Sequence, residues 1–104
     1  MSAAEKAGQV ERALTILRLL TPHALDGLTN REIIKQTGYS GHNVCRDLAE
    51  LERLGEVKKE GERWHPTARA VAVYRAYSLG LEDFASRASA FDARVEAQAH
   101  QLKQ

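Results

Sequence analysis

"TGYSGHNVCRDLAELERLG", residues 37–55, is the stretch whose reading decides the fold. Val44, Leu48 and Leu51 recur at helical spacing and make one apolar face. At about 100° per residue, His42, Arg46 and Arg53 fall on the far side, with Ala49 among them. Asn43 and Glu50 lie on one flank. Ser40 is placed to cap the N-terminus and Gly55 to end the helix, which predicts a helix over 41–54. Gly38 supplies a residue free to take positive φ just before it.

Upstream, Thr29 sits three residues before Glu32, with Ile33 and Ile34 following. This is the pattern of a capping box, and it predicts a short helix over 30–37. Two helices joined by about three residues that include a glycine have helix-turn-helix spacing. Further back, Val10, Ala13, Leu14, Leu17 and Leu20 trace one face of a helix over 9–20, with Glu11, Arg12 and Arg18 elsewhere. Thr21-Pro22 ends it, and the polar stretch to Gly27 reads as a loop.

Downstream, "GEVKKEGERWHPT" (55–67) predicts a hairpin of two short strands around a glycine-bearing turn, with Val57 and Trp64 leaning on the helices. Pro66 closes the second strand and Thr67 caps the next helix. From Ala68 the chain reads as helix almost to its end. Tyr74, Tyr77, Leu81, Phe84, Ala88, Phe91, Val95, Gln98 and Leu102 alternate steps of three and four, an a/d seam. Gly80 lies outside the seam, where a bend is allowed. The expected fold is mainly α. A winged helix-turn-helix, three helices plus a small β-hairpin wing, occupies residues 1–66, and a long C-terminal helix for dimerisation occupies 67–104.

Composition limits the partners. The 104 residues carry 15 basic and 14 acidic side chains, net +1, so bulk charge points to no partner. A case for nucleic acid must rest on which face each charge occupies. No apolar run approaches membrane-spanning length, and "MSAAEKAGQ" has no hydrophobic signal region, so a cytoplasmic protein without membrane contact is expected. Cys45 is the only cysteine. His42 and Cys45 have ligand spacing, but no second pair matches them; a partly buried structural thiol is expected, with no metal and no cofactor. No nucleophile motif, phosphate-cradling loop or paired carboxylates point to catalysis.

The polar face of helix 41–54 carries the chemistry. In helix-turn-helix docking, the N-terminal turns of the second helix approach the bases. That selects Ser40, Gly41, His42, Asn43 and Arg46 for base readout, arginine suiting guanine and asparagine adenine. Arg53, two turns on, is expected at phosphate. Lys58, Lys59 and Arg63 bracket the wing tip, interleaved with Glu56, Glu60 and Glu62, and are candidate backbone contacts. Thr29 and Arg31, at the start of helix 30–37, are also candidates, beside the plain reading of Thr29 as a cap. Tyr74, Tyr77, Leu81, Phe84, Ala88, Phe91, Val95 and Leu102 are the dimerisation candidates, beside the reading in which this helix folds back on its own domain.

"VERALTILRLL" and "GLTNREIIKQTGYSGHNVCRDLAELERLGEVKK" resemble the winged helix-turn-helix domain of IclR-type bacterial transcription regulators. The similarity covers about Gln9 to Pro66. It implies DNA binding as a dimer, with the third helix in the major groove and the hairpin as wing. By position, Ser40, Gly41, His42, Asn43 and Arg46 match the DNA-facing start of the recognition helix. Family members commonly carry small hydroxyl residues where His42 and Asn43 stand, so their operators do not transfer. No counterpart of their large C-terminal effector-binding domain is expected within these 104 residues, and no small-molecule effector.

The expected function is sequence-specific double-stranded DNA binding by a homodimeric transcriptional regulator, not an enzyme. Two alternatives stay open: a protein-interaction winged helix, or a DNA-binding accessory factor in replication, partition or recombination of a mobile element.

Overall fold

The computed structural model describes residues 2–103. The elements run in the order α1 (Ala3–Lys6), α2 (Gln9–Leu20), a 3-10 turn (Thr21–His23), β1 (Leu28–Thr29), α3 (Asn30–Thr37), α4 (Gly41–Arg53), β2 (Val57–Glu60), β3 (Arg63–Pro66) and α5 (Ala68–Lys103). They form two compact units, one ending at Ala72 and one beginning at Val73.

In the first unit α4 packs on both α2 and α3. Val44, Leu48 and Leu51 are buried, as the spacing predicts, against Ile16, Leu20 and Ile33. The local signals hold at each end. Thr29 Oγ1 accepts from the Glu32 amide at 3.2 Å, while the Thr29 amide donates to Glu32 Oε1, completing the capping box. Gly38 closes α3 at φ 75°, in the left-handed region that a side chain disfavours. Ser40 Oγ accepts the Asn43 amide at 3.1 Å. Between the helices, Tyr39 is buried in the core.

Helix α2 departs from the expectation. Its buried residues are Arg12, Ile16 and Leu20, with Ala13, Leu17 and Leu19 partly buried, whereas Val10 is 75% exposed and Leu14 46%. The inward face is rotated by about 80° from the one traced by Val10, Ala13, Leu14, Leu17 and Leu20, because it is centred near Ile16, which that face leaves out. Ile16 and Leu20 are wholly buried in the core, and Arg12, one turn before Ile16, joins the same side by binding Asp47 on α4.

The wing is also larger than a hairpin. β1 pairs antiparallel with β3 (Leu28 opposite Trp64, Thr29 opposite Arg63), giving a three-stranded sheet of order β1-β3-β2. A two-residue strand has no periodicity to read, so only the pairing reveals it. β2 and β3 register Val57 with Pro66 and Lys59 with Trp64. Val57 and Trp64 are buried as expected. Trp64 Nε1 donates to Asn30 Oδ1 at 2.8 Å, which ties the sheet to the first turn of α3.

The N-terminal segment holds a short helix outside the sequence-based expectation. Ser2 caps α1 by accepting the Glu5 amide, Ala7 is buried in the core and Ala4 packs against it. At the other end, Thr67 accepts the Ala70 amide and donates to the Gly55 carbonyl, which starts α5; Ala70 is buried. In the second unit α5 continues through Gly80 to Lys103 without interruption. Among the described residues, no helix is long and apolar enough to cross a membrane, and no group of three or more His, Cys, Asp or Glu side chains converges as metal ligands do.

Candidate nucleic-acid interface

The α4 backbone dictates what can be presented. With Val44, Leu48 and Leu51 turned inward, Gly41, His42, Cys45, Arg46 and Ala49 are exposed and Asn43 is half-buried. Ser40, Gly41, His42 and Arg46 therefore gather on the open side of the first turns, with Asn43 at its edge. Cys45 lies on this open face rather than partly buried, within 3.4 Å of Asn30 Nδ2. The correction reflects its position about 100° from Val44, at the margin of a narrow apolar stripe.

Charge pairing separates the candidates. Among the described residues, no carboxylate lies within ion-pair distance of Arg46 or Arg31. Arg53 pairs with Glu50 one turn back, and their hydrogen bonds hold the Glu50 carboxyl below its usual range. Lys58 pairs with Glu60 at 3.0 Å and lowers that carboxyl in the same way. Arg63 reaches the Gly27 carbonyl at 3.1 Å and Glu32 at 3.4 Å. Lys59 lies over the Trp64 ring, 5.7 Å from its centroid. Thr29 has its hydroxyl engaged in the capping box, donating to Glu32 Oε1 and accepting from the Glu32 amide.

These surface pairs are weak constraints. Exposed ion pairs contribute about 0–1 kcal/mol, so Arg53, Lys58 and Arg63 can exchange a carboxylate for a phosphate at little cost. Arg46 needs no exchange. It presents a full charge and five donors from the second turn of the helix.

Three residues outside the sequence-based set, Asp47, Arg12 and Asn30, support this surface from beneath. Asp47, next in sequence to Arg46, is wholly buried, and Arg12 binds it with Nε–Oδ2 2.7 Å and Nη2–Oδ1 3.2 Å. Arg12 Nη1 also donates to the Ala7 carbonyl at 2.8 Å. Donating to the Asp47 carboxylate raises the Arg12 pKa above its ordinary value. Asn30 is the third, bridging the Trp64 indole and the Cys45 thiol. A signal for Asp47 was present, since it falls about 40° from Leu51 and about 60° from Val44, on the core side of Arg46. Neither α2 nor α4 taken alone marks the partner.

The chemistry available is recognition: donors and one imidazole on a convex helix end, beside a small sheet with cations near its turn. The profile of the IclR helix-turn-helix domain matches residues 9–61, from the start of α2 to the wing turn. Comparison with curated proteins gave no match. Among solved structures, the chain is similar to the crystal structure of MepR, a transcription regulator of the Staphylococcus aureus multidrug efflux pump MepA. Their TM-score is 0.56 at 21% identity, over 89% of this chain and 74% of that one. That likeness is one of fold.

Proposed function

The chain belongs to the IclR helix-turn-helix family, and from that premise we propose that it is a sequence-specific double-stranded DNA-binding protein acting as a transcriptional regulator. The first turns of α4 enter the major groove. Arg46 and Asn43 read base edges, while Ser40, Gly41 and His42 approach the groove wall. Arg31 and Lys59 meet phosphates directly. Arg53, Lys58 and Arg63 do so by releasing their carboxylates, and Thr29 serves as the cap of α3. The protein works in the cytoplasm as a homodimer joined through α5.

The observation that carries this reading is the exposed Arg46, without an ion-pair partner among the described residues, beside Ser40, Gly41 and His42 on a helix whose buried Asp47 is bound by Arg12. Dimerisation fits the charge. With a net charge of +1, one module has little nonspecific attraction for DNA, and linking two raises affinity through effective concentration.

Selection of bound sequences from a random DNA pool tests the proposal directly. A two-fold symmetric enriched site supports it. A pool that emerges unenriched, with retention on DNA indifferent to salt, would favour a protein-interaction module instead.

A further inference from the structure

The second unit offers a seam with a definite chemistry. Numbered as heptads, a positions run from Tyr74 to Leu102 and d positions from Tyr77 to Gln98. Apart from Ala88 and Gln98 the seam is made of large apolar side chains. Phe84 is 65% exposed and Phe91 59%, within an unbroken helix. Three details of this face specify what covers it.

The first is shape. A hollow on the helix surface is lined by Phe91, Arg94, Val95, Gln98, Ala99 and Leu102. In a coiled coil each knob enters a hole made by four residues of the facing helix. The hollow is two such holes that share an edge: Phe91, Arg94, Val95 and Gln98 surround an a-layer knob, and Val95, Gln98, Ala99 and Leu102 a d-layer knob.

The second is charge. Arg87 and Arg94 occupy g positions and Asp92 an e position. In parallel strands g of one heptad faces e of the next in the partner, which sets Arg87 against Asp92 of a second copy twice per dimer. Antiparallel strands face g with g, so arginines meet arginines and Asp92 has no cation opposite. Arg87 now binds Asp83 at 3.0 Å across an exposed pair, an interaction weak enough to be exchanged.

The third is Gln98, the single amide in the seam. In parallel, in-register strands it meets its own copy, and the two amides satisfy one another. Antiparallel strands place it against an apolar a residue, with its donors and acceptor unmet.

We infer that α5 pairs with a second copy of itself as a parallel, in-register, two-stranded coiled coil, with Arg87–Asp92 bridges and a Gln98–Gln98 layer setting orientation and register. This rests on the homodimer reading above and gives it a geometry. Each first unit is connected to its strand at Val73, so parallel strands bring both connection points to the same end of the coil.

The test uses the full chain carrying Cys45→Ser, with Leu102→Cys or Tyr77→Cys added singly. Under mild oxidation L102C is expected to form a covalent dimer, and an equimolar mixture of L102C and Y77C is expected to give no mixed 77–102 disulfide. Antiparallel strands hold the two thiols introduced by L102C about 40 Å apart, by the 1.5 Å helical rise, and give the mixed product, which would overturn the inference. Sedimentation equilibrium adds a second readout. R87E and D92R should each weaken dimerisation on the order of tenfold, and the R87E/D92R exchange should restore it. An exchange no tighter than the single variants, or a trimeric mass, also overturns it. A wild-type chain that stays monomeric at high concentration instead defeats the homodimer reading on which it stands.

Discussion

Arg12 and Asp47 meet face to face beneath the recognition surface, with Nε–Oδ2 2.7 Å and Nη2–Oδ1 3.2 Å, and the third guanidinium nitrogen closes on the Ala7 carbonyl. One side chain thus joins the N-terminal segment, α2 and α4, and fixes the helix whose next outward residue is Arg46.

Removing one partner of such a pair leaves a buried charge unmatched, at a cost of about 3–5 kcal/mol. Arg12→Ala is therefore expected to unfold much of the first unit at ambient temperature, as seen by thermal melting. Arg12→Met with Asp47→Leu should melt near the wild type, since an apolar pair of similar volume removes the desolvation cost together with the attraction. A double variant as unstable as R12A would show that the pair's geometry, not charge compensation, holds the fold.

Arg46→Ala should weaken binding to the selected site by about 1–3 kcal/mol and relax preference at one base position, with melting unchanged because the side chain is exposed. Mobility shifts with the selected site and its single-base variants measure both. Equal affinity of R46A and wild type for every duplex would place the reading face elsewhere.

At the wing, Lys59→Ala should reduce the slope of log affinity against log salt by about 1, uniformly across sequences. Lys58→Ala should have a smaller effect, because Lys58 exchanges a bound carboxylate where Lys59 gives up only its place over the Trp64 ring. A salt titration of both variants compares them; identical slopes in all three proteins would remove the wing from the interface.

The capping box carries a pH dependence. The backbone hydrogen bond from Thr29, then its side-chain bond and the nearby Arg63, hold the Glu32 carboxyl below its usual range. Folding depresses this pKa, so the contribution of the ionised group is fully present above the unfolded value of about 4.3 and disappears as pH falls through the folded one. Glu32→Gln keeps an acceptor but does not titrate. Its melting temperature should lie below that of the wild type at pH 7 and converge with it below about pH 4; a gap unchanged down to acid would rule out the carboxylate as its source.

Two glycines with positive φ should respond differently to alanine. At Gly27, φ 71°, a Cβ would sit 2.7 Å from the His65 ring and 2.8 Å from the Trp64 carbonyl; at Gly61, φ 62°, it meets open space. Gly61→Ala pays only the backbone strain, roughly 1 kcal/mol. Gly27→Ala must also open the β1–β3 edge and should lower the melting temperature several degrees further. Equal melting of the two variants would mean that the His65 ring and the Trp64 carbonyl both give way at little cost.

Much of this protein was legible in local signals. The capping box at Thr29 and Glu32, the left-handed Gly38 and the Ser40 cap fix α3, the turn and α4 through bonds within a few residues, and each stood in the sequence to within one position. The apolar stripe at Val44, Leu48 and Leu51 fixed which side of α4 faces outward, and hence the candidate site.

What only the tertiary structure decided are relations between distant segments. Arg12 takes its place on the inward side of α2 through an ion pair spanning 35 residues, and the third strand comes from the pairing of Leu28 with Trp64. The occupation of Arg53, Lys58 and Arg63 by neighbouring carboxylates depends on where side chains settle on the folded surface. Periodicity records how a segment divides apolar from polar, which suffices when burial is apolar. It assigns a buried arginine to the wrong side, because the carboxylate that offsets its desolvation lies on another helix.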